Sequence, residues 1–140
     1  MRQRLYALSQ LWWDSVDPIA YTEDIAPNNL LYQIAMGDEQ VPNMTSYTLA
    51  RSIGMPLVEP AVEPVYGLST VSTPAVHGLV QLDPGVGPPP DVNRPATDTG
   101  AHTRPRIYPG TIDQIVTFLE SGQIEATCGA SPCSHSNNGG

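Results

Sequence analysis

The chain has 140 residues, 15 prolines, 12 glycines and a net charge of −8, with six arginines and no lysine. This acidic balance repels a phosphate backbone and excludes nucleic acid as an expected partner. The length allows one loop-rich domain with a single core, and no apolar run reaches the ~20 residues that a transmembrane segment needs.

An apolar stripe at helical spacing predicts a first helix over residues 2–16; its members are Leu5, Leu8, Leu11 and Trp12. This segment is too polar for a secretory signal. We expect Trp12 and Trp13 to be core residues rather than a stacking surface for a ligand, because bulky aromatics on such a stripe usually pack inside. Asp17-Pro18 ends the helix, since the residue before Pro avoids the helical region.

A nearly unbroken apolar run over residues 30–36 predicts an internal strand of a parallel sheet, buried on both faces. The run ends at Gly37, and Asp38 and Glu39 follow in a Pro-containing turn before a short predicted helix over residues 45–53. Chemistry in open α/β sheets lies where strands hand over to loops at their carboxyl ends. Asp38 is therefore a candidate site residue, with a solvated turn as the alternative for both acids.

One further strand over residues 75–82 and one further helix over residues 111–119 are predicted in the second half. Pro56, Pro60 and Pro64 exclude a central strand between residues 55 and 65. This helix carries its apolar residues on one face, which consists of Ile112, Ile115, Val116 and Leu119.

A long Pro- and Gly-rich loop over residues 83–106 carries His102. Loops of this length within a domain tend to be functional or disordered. Gly85 and Gly87 lead into prolines and not into a helix, which excludes a phosphate-binding loop. Residues 126–140 form a polar tail that we expect to be disordered.

Two cysteines, Cys128 and Cys133, close a short loop within this tail. Their spacing fits a local disulfide of an exported protein, and this is the favoured interpretation. Two free thiols are the first alternative. A metal site with His135 nearby is the second, although a second ligand pair is missing.

Asp38 and His102 follow one another in the order of the last two members of a nucleophile–acid–base triad. In such a triad the His takes a proton from the nucleophile and returns it to the leaving group, while the carboxylate fixes the tautomer of the ring. Glu39 is the alternative acid, but the position at the end of the strand favours Asp38.

Five segments carry a resemblance to a known family: Asp-Pro-Ile-Ala-Tyr at 17–21, Gly-Asp-Glu-Gln-Val-Pro-Asn at 37–43, Ser-Ile-Gly-Met-Pro at 52–56, Gly-Ala-His at 100–102 and Ile-Asp-Gln-Ile-Val-Thr-Phe-Leu at 112–119. Together they resemble the C-terminal part of an α/β-hydrolase, most similar to bacterial lipases and esterases of the virulence-factor lipase type. The resemblance covers residues 5–125, and the Gly-Asp-x-x-Val-Pro-Asn turn is its most specific piece.

The resemblance implies an α/β fold in which residues 1–125 form the C-terminal half of a hydrolase domain, with a partial parallel sheet and flanking helices. It implies Asp38 as the triad acid and His102 as the general base. The implied substrate is an ester or lipid, the implied location is extracellular or in the cell envelope, and no metal or organic cofactor is required.

The chain departs from this family because it contains no Gly-x-Ser-x-Gly nucleophile elbow. Ser69 lacks the second Gly and follows the acid, which is the wrong order. We therefore expect a truncated gene product or one piece of a longer enzyme, without substantial esterase activity by itself. A partial sheet would leave an unpaired edge, which would pair with the missing N-terminal half or with another chain.

Two other functions remain as alternatives. A non-catalytic binding module would use the Pro-rich segment 83–106 to contact a partner. A metal site built from Asp38, His102 and a neighbouring carboxylate is the less favoured alternative, because these residues do not follow a spacing typical of metal ligands.

Several single residues have simpler explanations. His77 is expected to be a half-exposed strand residue, and His135 belongs to the tail. Asn43 is formally a glycosylation acceptor. Arg104 and Arg106 would either meet an acidic substrate or solvate the loop, and solvation is favoured.

Overall fold

Four parallel strands form the centre of the structure, a computed structural model that describes residues 1–87, 95 and 97–136. The strands are β1 (Leu30–Ala35), β2 (Leu57–Glu59), β3 (Thr70–Ser72) and β4 (His77–Leu82), in the spatial order β1-β4-β2-β3. All three neighbouring pairs are parallel. The α/β class and the parallel sheet expected from the sequence are therefore confirmed.

Helices connect and flank these strands. The α-helices are α1 (Arg2–Trp13), α2 (Thr22–Ile25), α3 (Asn43–Ser52) and α4 (Pro109–Ser121), and two short 3-10 helices span Pro18–Tyr21 and Arg104–Ile107. None of the helices in the described part of the chain combines the length and the apolarity needed to cross a membrane.

The alignment of β1 with β4 decides where the loops meet. Their register runs from Leu30 opposite His77 to Ala35 opposite Leu82, so the two strands end at the same level. Asp38 lies three residues beyond the end of β1, and the loop that follows β4 carries His102. Because parallel strands deliver their following loops to the same edge of a sheet, the two loops meet there.

Apolar side chains form a core on each face of the sheet. The buried members of the first are Ile34, Ala50, Ile53, Met55, Leu57, Val65 and Leu79. Those of the second are Val58, Ala75, Val80, Leu82, Ile124 and Cys133, with Phe118 of α4 packed against them. The sheet therefore lies between α3 on one side and α4 with the disulfide segment on the other.

The first helix differs from the prediction in its burial. α1 ends at Trp13, and none of its residues is buried. Trp12 is 84% exposed and Trp13 is 61% exposed, so the prediction that they are core residues is wrong. The stripe is correctly helical, but nothing in the described structure covers it.

Two strands occupy different positions in the sheet from those predicted. β1 was expected to be internal, yet within the described residues it pairs with β4 alone and forms an edge. β2 is internal, although prolines were expected to exclude it. Pro56 and Pro60 flank the strand without entering it, so its amides stay available for the ladder. β3 was not predicted.

The last helix turns its polar side, and not its apolar face, toward the sheet. α4 buries Gly110, Thr111 and Gln114. The predicted apolar face is exposed; its members are Ile112, Ile115, Val116 and Leu119. The cause is a polar contact with the sheet, because Gln33 Nε2 donates to Gln114 Oε1 at 2.9 Å and to the Thr111 carbonyl at 3.3 Å.

A disulfide joins Cys128 to Cys133 in the segment predicted to be a tail. The Cys133 carbonyl accepts from the Asp83 amide at 2.8 Å, and the His135 amide donates to the Asp83 carbonyl at 3.1 Å. Residues 126–136 therefore contact the end of β4, and residues 137–140 of the predicted tail lie outside the described part.

Candidate active site

The turn after β1 requires glycine at its first position. Gly37 has φ +70°, a conformation that residues with a side chain rarely adopt. A Cβ atom there would also lie 2.7 Å from Val86 Cγ2, in the loop that follows β4. The loop that follows β1 therefore packs closely against the loop that follows β4.

Asn43 fixes the same turn from the N-terminus of α3. Its Oδ1 accepts from the Gly37 amide at 2.9 Å, and its Nδ2 donates to the Ala35 carbonyl at 2.7 Å. The side chain therefore closes the turn that contains Asp38. Asn43 is the last residue of the Gly-Asp-x-x-Val-Pro-Asn turn and formally a glycosylation acceptor, and both the oxygen and the nitrogen of its side-chain amide are hydrogen-bonded within the turn.

Asp38 and His102 meet at the carboxyl end of the sheet. His102 Nδ1 lies 2.9 Å from Asp38 Oδ2 and 3.2 Å from Asp38 Oδ1. The Asp38 side chain is 10% exposed and the His102 side chain 18%. A carboxylate can only accept, so Nδ1 carries the proton and donates it to Asp38.

Backbone amides hold the carboxylate in its ionised form. Burial alone acts to raise the pKa of Asp38, but the Val41 amide, the His102 ring and the Gln40 amide together lower it below the usual value of 3.8. The two amides donate to Oδ1 at 2.8 Å from Gln40 and 2.9 Å from Val41. Asp38 is therefore a charged acceptor with a fixed orientation near neutral pH.

The second nitrogen of the imidazole has a partner that the sequence did not reveal. Arg106 Nη2 lies 2.7 Å from His102 Nε2. A guanidinium can only donate, so Nε2 presents its lone pair, as a general base must. Arg104 instead donates to the Thr99 carbonyl. Solvation is thus an incomplete description of both arginines, which are exposed but also hydrogen-bonded.

A cavity of about 420 Å³ opens beside the pair. Asp38, His102 and Arg106 line it together with apolar and polar side chains from β1, β4, α3 and α4; among these are Ile34, Val41, Asn43, Ser46, Leu82, Thr111 and Ile115. Its size is that of a small-molecule site. The pair of residues therefore faces a space in which a substrate would fit.

Two aliphatic hydroxyl groups, those of Ser46 and Thr111, also line this cavity, and neither is hydrogen-bonded to His102. Ser46 Oγ accepts from the Tyr32 hydroxyl at 3.0 Å. Thr111 Oγ1 is buried without a hydrogen-bond partner among the described residues. Neither arrangement activates the oxygen, because a nucleophile of this class needs its base within hydrogen-bond reach.

The other candidates of the sequence lie elsewhere or have other partners. Glu39 Oε2 accepts from Thr99 Oγ1 at 3.0 Å and does not contact His102. His77 is half-buried in β4 as predicted, with Nδ1 at 3.0 Å from the Asn28 carbonyl. His135 is exposed, and its ring lies 6.2 Å from that of Tyr108.

The two alternative functions find little support in the described parts of the chain. No group of three or more His, Cys, Asp or Glu side chains that would hold a metal ion occurs there. Three of the six prolines in the segment 83–106, on which a binding module would rest, lie outside the described residues.

The sequence did not predict the hydrogen-bond partners of Asn43 and Arg106. Asn43 stands six residues after Gly37, a spacing typical of no particular motif, and Arg106 lies one helical turn after His102. Both residues contact atoms close to them in the chain, but neither spacing identifies the partner atom. Comparisons of the chain with family models, with curated proteins and with solved structures found no match.

Proposed function

We propose that this chain supplies the acid and the base of a Ser-Asp-His triad in a carboxylic-ester hydrolase of the lipase or esterase type. The observation that carries the proposal is the 2.9 Å contact between Asp38 and His102 beside a cavity. Its support is the combination of a charged, immobilised carboxylate with a ring whose Nε2 carries the lone pair. The nucleophilic serine would come from a segment that is not part of this sequence.

In the proposed reaction, His102 Nε2 takes the proton of that serine as its oxygen attacks the ester carbonyl. Asp38 stabilises the imidazolium that forms, and the ring then gives the proton to the leaving alcohol. Water repeats the two steps to release the acid. Arg106 must leave Nε2 before the serine can approach, because the same lone pair cannot accept from both.

Within the described residues β1 is an edge strand, and its open side is where the serine-bearing segment would pair. The Leu30 amide donates to the Val76 carbonyl just before β4, and the Met36 amide donates to the Leu82 carbonyl at its end. Because the two sides of a strand alternate, the amides of Leu31, Gln33 and Ala35 point to the unpaired side. A strand added there would extend the parallel sheet beside Asp38. The disulfide supports an oxidising location, outside the cell or in its envelope.

The coding region upstream of Met1 provides the test. We expect an in-frame Gly-x-Ser-x-Gly, and the longer chain translated from it should hydrolyse p-nitrophenyl butyrate. Asp38→Asn should lower kcat by about 10⁴-fold and His102→Gln by about 10⁶-fold, as removal of a triad acid and of a triad base do. Glu39→Gln is the matched control and should keep kcat within a few-fold.

Two results would reject the proposal. One is an upstream region that encodes no serine elbow. The other is an active longer enzyme whose kcat is the same in the His102→Gln variant as in the wild type.

A further inference from the structure

The guanidinium of Arg106 has unused hydrogen-bonding capacity. It offers five N–H donors, and its one hydrogen bond among the described residues goes to His102. In that same part of the chain the one ion pair joins Asp38 to His102, so no described carboxylate neutralises Arg106. Arg106 thus presents an uncompensated positive charge at the wall of the cavity.

The opposite charge in the same cavity is already committed. Asp38 accepts from two backbone amides and from His102, so its carboxylate is directed away from a new ligand. The remaining walls are largely apolar, with Ile34, Leu82 and Ile115 among them. Such a space favours a ligand with one anionic group and a short apolar body.

We infer that Arg106 is a binding residue for the carboxylate of such a ligand. The planar carboxylate accepts two N–H groups of the guanidinium in parallel, a geometry that an arginine satisfies and a lysine does not. Nη2 then leaves His102 Nε2. The net charge of −8 opposes an anion at long range, but this repulsion is screened beyond ~10 Å at 0.1 M salt, so the local contact decides.

The inference deepens the proposed function and rests on it in one respect. Ester hydrolysis yields a carboxylic acid, which is ionised at neutral pH, so Arg106 would hold the acid product next to the base that formed it. Binding itself requires no nucleophile. It is therefore measurable on this chain without the serine-bearing segment.

The test is an NMR titration of the ¹⁵N-labelled chain with sodium butyrate and, separately, with butyramide. Butyrate should bind saturably and shift the Arg106 Nε and His102 Nε2 resonances, whereas the neutral butyramide should bind at least ten-fold more weakly. Arg106→Gln should weaken butyrate binding at least ten-fold. Arg106→Lys should fall between the two.

Arg4→Gln is the matched control. It removes the same charge from an exposed position on α1 and should leave butyrate affinity within two-fold. If Arg106→Gln fails to fold, the Arg106 resonance of the wild type still decides the question, because it must move with butyrate and not with butyramide.

Equal affinity for the two ligands, equal butyrate affinity in the wild type and Arg106→Gln, or no saturable binding would overturn the inference. A failed hydrolase test has a different signature. Butyrate would still bind through Arg106 while the longer chain showed no dependence of kcat on His102.

Discussion

Asp38 contributes to stability through three hydrogen bonds, and replacing it with Asn should reveal their value. Asn keeps an acceptor for the Gln40 and Val41 amides but loses the charge, and its NH₂ group would face the Nδ1 proton. We expect Asp38→Asn to lower the free energy of unfolding by about 1–3 kcal/mol. The control Asp113→Asn, at an exposed position of α4, should change it by less than about 0.5 kcal/mol. Urea unfolding measures both.

The same contacts predict the direction of a pH effect. The pKa of Asp38 is lower in the folded chain than its usual 3.8. Its ionised contacts therefore stabilise the fold fully above that value, and the contribution is lost as the pH falls from 3.8 through the folded pKa. Unfolding curves at pH 6 and pH 3 should show this loss in the wild type. In Asp38→Asn the corresponding part of the loss should be missing, and an unchanged pH dependence would contradict the assignment.

Gly37 and Gly85 form a natural pair for testing the turn that places Asp38. Both have positive φ, +70° and +72°, but a Cβ at Gly85 meets nothing within 4 Å. Gly85→Ala should cost about 1–2 kcal/mol, the backbone penalty alone. Gly37→Ala should cost more, because Val86 must move, and it should also weaken the His102 contact seen by imidazole NMR. Equal losses of unfolding free energy in the two variants would show that the close contact with Val86 does not contribute to stability.

Single residues show what the sequence could predict about the site and what it could not. The position of Asp38 followed from the local order of strand, glycine and acid. His102 was proposed from a Gly-Ala-His triplet, and its distance from Asp38 depends on the parallel register of two strands. Arg106 and Asn43 were both noted in the sequence, but their hydrogen bonds were not predicted. These contacts are local in the chain, yet neither spacing identifies the atom that a long polar side chain will meet.

At the scale of the element, the disulfide closes a loop within residues 126–136, the segment whose backbone is hydrogen-bonded to Asp83 at the end of β4. Reduction, or the double variant Cys128→Ser/Cys133→Ser, should lower the free energy of unfolding by roughly 2 kcal/mol, the entropy expected for a short loop. The Asp83 and His135 amides, which hydrogen-bond across this contact, should exchange faster with solvent. Amides between β1 and β4 should keep their exchange rates. A uniform change over both sets would indicate that the disulfide acts globally.

The positions of the helices were predicted better than their burial. Periodicity placed α1, α3 and α4 within a few residues, because it reflects local backbone geometry. The apolar stripe of α1 was also interpreted as a core face, and that interpretation was wrong. Burial depends on what covers a face, and α4 turns its amide-bearing side to Gln33. β2 was excluded because prolines interrupt this region, yet its three residues fit between Pro56 and Pro60.

At the scale of the whole molecule, the free edge of β1 predicts self-association. Leu31→Pro removes an amide that points away from β4, so it should block edge pairing and leave the β1–β4 ladder intact. Leu31→Ala removes the side chain but keeps that amide. Sedimentation velocity should show concentration-dependent association for the wild type and for Leu31→Ala, and a monomer for Leu31→Pro. Association of all three would place the contact elsewhere, for example on the exposed stripe of α1.

The amide contacts of α4 have a consequence for how the molecule would accept another layer. Gln114 binds Gln33 on one side and, through Nε2, the Glu125 carbonyl at 2.7 Å on the other. Hydrogen bonds are directional, whereas apolar packing tolerates rotation. The hydrogen bonds of Gln114 therefore fix the rotation of α4 about its axis, even though its outer side is exposed. A segment that packs on this outer side would meet Ile112 and Val116 in their final orientation. It would therefore bind as a rigid body, without rotation of the helix about its axis.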